Sequence, residues 1–448
     1  MHNVESTTSS VIFGFDPAWI AVSILLLVYG VIMAEKFNRA VLSLLGAGLM
    51  ILCGVLNQQQ AVAGIDFNTI GLLTGMMVIV AISQKTGMFQ YVAIKAAKLA
   101  KGEPWWILVM LSLVTAIFSA LLDNVTTVLL IAPVTLLITD ALDVRPYPYL
   151  FALILASNIG GTSTLIGDPP NIMIGSAAHL SFTDFLINLT PIIPVIFIAV
   201  IAVIWFLFGS DLHATDEKKK LIMQFDERAA IKDVSLLKKS LYVLFGVIGG
   251  FTVAHKLHLE PASIAMFGAA VLLLLQTLGQ SVEEKDHAYE AIMAEVEWTT
   301  IFFFVGLFIV VTGVEHTGVI NILAEKTLAL TGGDLIATTA TVLWVSAIAS
   351  ALIDNIPFVA TMIPLIQSME PTFGGAEAIE PLWWALALGA CLGGNGSLIG
   401  ASANLIVAGF AQRAGQAIAF LTFMKHAFGL MILTIIISHI YLYLRYLS

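Results

Sequence analysis

Twelve apolar runs, most of them long enough to cross a lipid bilayer, leave this chain little choice of fold. They lie near residues 17–34, 40–56, 67–83, 104–139, 147–179, 185–208, 240–255, 261–277, 298–314, 334–368, 382–412 and 420–444. A spanning helix takes roughly 20 such residues, and backbone in lipid must satisfy its own hydrogen bonds, which a helix does. Composition agrees, with 59% apolar and 11% charged residues in a chain of 448, whereas soluble domains reach about 45–50% apolar even with glycine counted. A soluble globule is excluded, and no large soluble domain fits between the runs. The net charge of -10 and the lack of a basic tract with interleaved aromatics exclude nucleic acid as partner. Cys53 and Cys391 both fall in apolar stretches, which argues against a disulfide framework, a thiolate metal site or an iron–sulfur cluster. The first 16 residues contain no Lys or Arg and so lack the basic start of a secretory signal, and the first apolar segment is expected to stay in the mature protein.

One polar stretch interrupts the series. Residues 209–239 hold seven Lys/Arg and six Asp/Glu and divide the chain into 1–208, a linker, and 240–448. The runs 104–139 and 334–368 each return the chain to the side it left, so crossings can be counted whether or not they span fully. With the N-terminus outside, 17 basic residues fall inside and only Lys256, Lys326 and Arg445 fall outside. This bias places both termini outside and the linker in the cytoplasm. Five crossings per half also put the two halves in opposite orientation.

The second half copies the first. SALLDNVTTV (119–128) aligns with SALIDNIPFV (350–359) at an offset of 231, as do Gly75 with Gly306 and Thr86-Gly87 with Thr317-Gly318. GGTSTLIGDPPN (160–171) aligns with GGNGSLIGASAN (393–404) at an offset of 233. Inverted repeats with interrupted helices near the membrane midplane are the signature of secondary transporters. The expected architecture is an all-α integral membrane protein of two inverted repeats, each with five transmembrane helices, one of them broken, plus a re-entrant hairpin.

The stretch 147–179 is too long for one span, and its centre carries Asn158, Gly160, Gly161, Thr162, Ser163, Thr164, Gly167, Asp168, Pro169, Pro170 and Asn171. Pro169 and Pro170 have no backbone N–H, and Asp168 is placed to cap a half-helix that begins at them. Helix, polar loop, helix is the expectation. Unwound backbone at membrane depth is tolerated only inside protein or along a watery cavity, where its oxygens suit a small hard cation. The second half repeats the break with Gly393, Gly394, Asn395, Gly396, Ser397, Gly400, Ser402 and Asn404, but Ala401 stands where Asp168 does. Asp123-Asn124 and Asp354-Asn355 sit within the two long runs. A single Asp-Asn pair is an ordinary solvent turn; the same pair at equivalent places in both halves favours two hairpin tips that meet near the midplane, where an ionisable residue is functional by default.

The charged candidates Asp123, Asp168 and Asp354 are all acids, with no Lys or Arg accompanying them, the opposite of what an anion carrier should show. Carboxylate and carbonyl oxygens suit Na⁺ or Li⁺, and the same carboxylates take protons when the metal leaves. Other polar and aromatic marks are given bland roles. Glu297, Glu315 and His316 read as solvated helix ends, Trp105, Trp106, Trp383 and Trp384 as interfacial belts, residues 88–101 as an amphipathic surface helix, and Met76 and Met77 as core filler.

With these motifs in hand, the chain resembles the ArsB/NhaD family of the ion transporter superfamily. The combination of DNVTT with NIGGTSTLIGDPPN is most similar to P-protein-like members and to NhaD-type sodium/proton antiporters. The resemblance implies a homodimer in the cell inner (plasma) membrane, in which scaffold helices flank a moving transport domain of hairpins and broken helices, an elevator. Citrate and dicarboxylate carriers of the superfamily have a neutral Ser-Asn-Thr motif at the hairpin tips. Here Asp123-Asn124 and Asp354-Asn355 replace it, against carboxylate transport. The family's ion-binding positions carry over to Asp123, Asn124, Thr126, Asn158, Thr162, Ser163, Asp168, Asp354, Asn355, Asn395 and Ser397. Among these Asp123, Asn124, Asp168, Asp354 and Asn355 are the Na⁺ ligands, and Asp123 and Asp354 the proton-coupling groups. The expected activity is Na⁺(Li⁺)/H⁺ antiport, with no cofactor beyond the transported ions, no enzyme chemistry, and only lipid, a second copy and a small ion as partners. Arsenite or antimonite efflux is the alternative. An intramembrane aspartyl protease also needs two membrane aspartates, but its Gly-x-Gly-Asp pattern is absent around Asp123 and Asp354, and a passive channel accounts less well for the repeat.

Overall fold

The computed structural model describes residues 14–448 apart from residue 35; most of the N-terminal stretch without Lys or Arg lies outside the described residues. Among these every regular element is helical. The first half comprises α1 (Pro17–Met33), α2 (Arg39–Leu52), α3 (Gln58–Ala63), α4 (Phe67–Lys85), α5 (Met88–Leu99), α6 (Pro104–Leu121), α7 (Asn124–Leu142), α8 (Tyr147–Gly161), α9 (Pro169–Ala178), α10 (Phe182–Asn188) and α11 (Ile193–Phe208). A short α12 (Asp216–Met223) lies in the polar stretch. The second half comprises α13 (Val234–Ala254), α14 (Pro261–Thr277), α15 (Val282–Met293), α16 (Trp298–His316), α17 (Val319–Thr331), α18 (Leu335–Leu352), α19 (Asn355–Phe373), α20 (Glu380–Gly393), α21 (Ser402–Arg413) and α22 (Phe420–Leu442). The apolar runs are therefore the helices, and α4, α6 and α7 begin and end 231 residues before α16, α18 and α19.

Local chemistry sets the boundaries. Asp16, Asn38, Asp66, Asp123, Asp334 and Asp354 each cap a helix start with a side-chain oxygen on a backbone N–H. A helix apolar all round is either a core element or a membrane span, and both kinds are present. Every residue of α8 except Tyr147 is buried, as are residues 381–393 of α20, whereas α11 and α13 expose broad apolar faces to lipid.

The halves interlock through a two-fold exchange. α2 packs along α16, and α14 along α4. A Cβ on Gly306 would lie 2.4 Å from the backbone of Ser43, and one on Gly75 would lie 2.6 Å from the backbone of Ala265. These are equivalent contacts, since Gly75 and Gly306 differ by 231 and Ser43 and Ala265 by 222. A second pair repeats the register: Gly46 faces Val310, and Gly268 faces Ile79. Small residues that let two helix backbones approach closely are the means of packing in a membrane, where apolar burial gives no drive between helices.

One expectation is corrected by this packing. Trp383 and Trp384 are not an interfacial belt: they are 4% and 0% exposed, and Trp384 meets the Phe185 ring at 5.2 Å and donates its indole N–H to Glu380. An aromatic pair at the start of a run looks the same in sequence whether the helix is peripheral or central. Trp106 is exposed and Trp105 half-buried against Trp205. The polar stretch, in turn, is strapped to the first half. Lys219 pairs with Glu103 at 2.9 Å, Lys98 of α5 pairs with Glu227 at 2.6 Å, and the Lys232 N–H donates to the Thr86 carbonyl. The Lys98 ammonium holds the Glu227 carboxyl below its usual range. The other face of α5 buries Phe89, Ala93 and Ala97, as an amphipathic surface helix should.

Candidate functional site

Each hairpin turn ends inside the protein, against the broken helices, and not in solvent. Asp123 caps α7 by accepting the Thr126 N–H at 2.7 Å and the Thr126 hydroxyl, which accounts for Thr126. Asn124 beside it is 4% exposed, and Asn355, at the tip of the other hairpin, is 3% exposed. The two tips meet the first break at a narrow cavity of about 20 Å³ walled by Arg39, Asp123, Asn124, Asp168, Glu297, Thr300, Asn355 and Ser402 together with apolar side chains. A roomier cavity, walled by Asn68, Ser176, His179, His255 and His258, lies at the N-terminal ends of α4 and α14 and contains none of the expected residues.

Asp168 occupies the N-cap position of α9, but its side chain makes no capping bond, contrary to the role of cap expected from sequence. Pro170 removes one of the two backbone donors a cap would use, and the other, the Asn171 N–H, donates to the Asp168 carbonyl at 2.9 Å. The carboxylate is left facing the cavity, where both oxygens lie 3.4 Å from the Asn355 amide nitrogen of the opposite half.

Beneath the cavity, amides from both halves form one ladder whose polarity is fixed. Asn404 donates to the Gly394 and Ser397 carbonyls at 2.8 and 2.9 Å, so its oxygen faces Asn158. Asn158 must then present its nitrogen, which donates to Asn404 at 3.0 Å and to Asn395 at 2.9 Å. Its oxygen is left for the Asn124 amide at 3.2 Å. Asn395 consequently points its own nitrogen away from Asn158, and this buried donor has no partner among the described residues. The two-fold exchange holds here too. Asn171 donates to the Gly161, Thr162 and Thr164 carbonyls and accepts from Cys391, as Asn404 does from Asn158.

Several expected residues are occupied locally. The Thr162 and Ser163 hydroxyls donate back to the Asn158 and Gly160 carbonyls within the last turn of α8. Ser397 donates to the Ala351 carbonyl, and Thr164 to the Ala120 carbonyl, each tying a break to the hairpin of its own half. We expect Asn404→Ala, which strands two carbonyls and the Asn158 amide, to cost about 2–3 kcal/mol, and Asn395→Ala, which removes one bond, about 1 kcal/mol or less. Thermal unfolding of the two variants in detergent checks this, and equal losses would refute the ladder.

The absence of basic partners expected for the three aspartates is wrong. Arg39, the first residue of α2, places one guanidinium nitrogen 2.5 Å from the Ser402 hydroxyl and 3.5 Å from the Asp354 carboxylate. The other lies 2.9 Å from the Thr300 hydroxyl, and the group stacks over the Phe303 ring. Ser402 in turn donates to Asp354 at 2.9 Å. Glu297 is likewise no simple solvated helix end: it is half-buried, accepts from Thr300 at 3.0 Å and walls the cavity. Glu315 and His316 are exposed, as expected. Asp123, Asp168 and Asp354 share a neighbourhood, but among the described residues no three acidic, His or Cys side chains stand within reach of one metal ion.

Relatives agree with this architecture along the whole chain. An uncharacterized transporter of Mycobacterium tuberculosis is 44% identical over 95% of this chain and 98% of its own length. The P protein of Homo sapiens is 34% identical over 94% of this chain, which spans 59% of that protein. The solved YdaH transporter of Alcanivorax borkumensis superposes with a TM-score of 0.58 at 14% identity, covering 96% of this chain and 98% of that one, and so shares the fold. The profile of the CitMHS family, described as citrate transporter, matches residues 29–389. A duplicated helical bundle with paired breaks, these relatives and that match lead to one conclusion: the chain is a multi-pass secondary transporter of the membrane and belongs to the CitMHS family.

Proposed function

We propose that the chain is a Na⁺(Li⁺)/H⁺ antiporter of NhaD type that exports cytoplasmic sodium. The observation that carries this is the charge of the cavity wall: Asp123, Asp168 and Glu297 line it, and its one cation, Arg39, is turned to a fourth carboxylate, Asp354. That excess of negative charge repels a tricarboxylate and suits a small hard cation with oxygen ligands. Carboxylates that hold Na⁺ in one state and protons in the other exchange the two ions, provided the empty, charged site does not cross. The bias of basic residues supports a cytoplasmic linker (209–239) between repeats 1–208 and 240–448 and external termini, in an inner membrane. Backbone-close contacts of Gly160 with Ala116 and Gly393 with Ala347 join each hairpin to its broken helix, which supports their moving as one body, an elevator, against scaffold helices paired in a homodimer.

A second reading, carboxylate transport, draws on the family's description, on Arg39 and on the unpartnered Asn395 amide. Arsenite efflux would use the neutral amides alone. Proteoliposomes with an imposed pH gradient separate the three. Collapse of the gradient by Na⁺ or Li⁺, with K⁺, citrate and arsenite inert, is expected; silence toward alkali cations with uptake of citrate or arsenite would overturn the antiporter.

A further inference from the structure

The exchange symmetry of the two halves has one conspicuous break. Thr300 and Glu297, at the start of α16, have counterparts in Thr69 and Asp66 at the start of α4, where Thr69 donates to Asp66 as Thr300 does to Glu297. Arg39 has none. The register that pairs Ser43 with Ala265 and Gly46 with Gly268 puts Pro261 at its equivalent place. Thus α2 and α16 together offer a guanidinium, a hydroxyl and a carboxylate at one membrane face, while α4 and α14 offer only the hydroxyl and the carboxylate at the other.

Arg39 is also the bond between two groups of elements. It rises from α2 and is held on α16 by Thr300 and by the face of Phe303. From there it reaches Asp354 at the tip of the second hairpin and Ser402 at the first turn of α21. Asp354 is the repeat equivalent of Asp123, yet only Asp354 already has a cation. The fork geometry of a guanidinium allows it to engage a carboxylate and two hydroxyls at once, and its charge repels a second cation approaching the same carboxylate.

We infer that Arg39 is a tethered counter-cation, which takes the place of the transported ion at Asp354 on one side of the membrane only. Resting on the cation-exchange reading, this makes Arg39 a positioning residue that lowers affinity for the loading ion at its own face. On the orientation above that face is cytoplasmic, so Arg39 sets how much internal sodium is needed before export begins. At the opposite face Pro261 stands in its place, so no guanidinium competes from that position.

The test uses the full-length protein in detergent and in proteoliposomes of known orientation, with Na⁺ as probe. In Arg39→Gln the Na⁺ concentration for half-maximal thermal stabilisation is expected to fall about tenfold, with Arg39→Lys close to wild type. The double variant Arg39→Gln/Asp354→Asn is expected to lose the gain. In proteoliposomes the half-saturating Na⁺ at the Arg39 face falls by a similar factor, while the value at the opposite face does not move. A merely structural role would lower turnover without a one-sided shift in affinity. Should Arg39→Gln fail to fold, Ser402→Ala, which removes the bridging hydroxyl, must shift affinity in the same direction. Unchanged Na⁺ affinity in the folded variants, with wild type exchanging Na⁺ for H⁺, overturns the inference and leaves the antiporter standing. If wild type neither binds nor exchanges any alkali cation, the antiporter reading falls and this inference with it.

Discussion

Replacing Asp123 by asparagine is expected to abolish cation-driven proton movement and leave a folded protein. Asparagine caps helices as well as aspartate does, so the bond to the Thr126 N–H that starts α7 survives. What disappears is a negative charge on the wall of the cavity, at a point where no cation is paired with it. Losing a charge partner in a buried setting typically costs about 3–5 kcal/mol, two orders of magnitude or more in affinity. Exchange measured in proteoliposomes should therefore fall at least about a hundredfold, with the unfolding temperature close to wild type. Unaltered exchange would remove Asp123 from the coupling machinery. Asp168→Asn should behave alike, because the Asp168 side chain contributes nothing to the cap of α9.

Gly160→Val is expected to produce the opposite pattern, a protein that does not reach its folded state in useful amounts. A Cβ at Gly160 would lie 2.1 Å from the Ala116 carbonyl oxygen and 2.5 Å from its Cα. The obstacle is backbone in the middle of α6, and no rotamer can relieve it. The equivalent contact, Gly393 on Ala347, has the same form. Overpacking at such a site costs about 3 kcal/mol or more, and here it pries a hairpin from the broken helix that carries the amide ladder. Yield and thermal unfolding in detergent measure it; a variant with wild-type stability would mean that α6 and α8 are not in contact as described.

Much of this architecture is written locally. Apolar runs, caps and the duplicated motifs are features of neighbouring residues, and the helices begin and end close to where those features place them. The broken helices were legible for the same reason, since glycines, prolines and amides crowd into a few positions. Arg39 was not. It stands 315 residues from Asp354, at the foot of an apolar run where a basic residue is the ordinary sign of the cytoplasmic face. Its guanidinium serves that purpose equally well whether it points to water or to a carboxylate. Glu297 misleads on similar grounds, as an acid at a helix end whose burial depends on the other half. Asn171 and Asn404 were visible in the repeated motif, and their matching positions held the signal. That they support the breaks through three carbonyls and two carbonyls respectively follows only once the loops are folded around them.

The interleaving of the halves bears on how the protein is made. Ser43 on α2 awaits Gly306 on α16, about 260 residues later, which a ribosome takes roughly 10–50 s to deliver. Through that interval α2 and α4 stand in the lipid without the helices that will fill their grooves, and the acids of the first hairpin have no opposing tip to close over them. Neither half is a unit that can mature alone. The newly inserted first half is a waiting intermediate, so substitutions that weaken the α2 and α16 seam should show first as lost yield during biogenesis, before any change in the finished carrier.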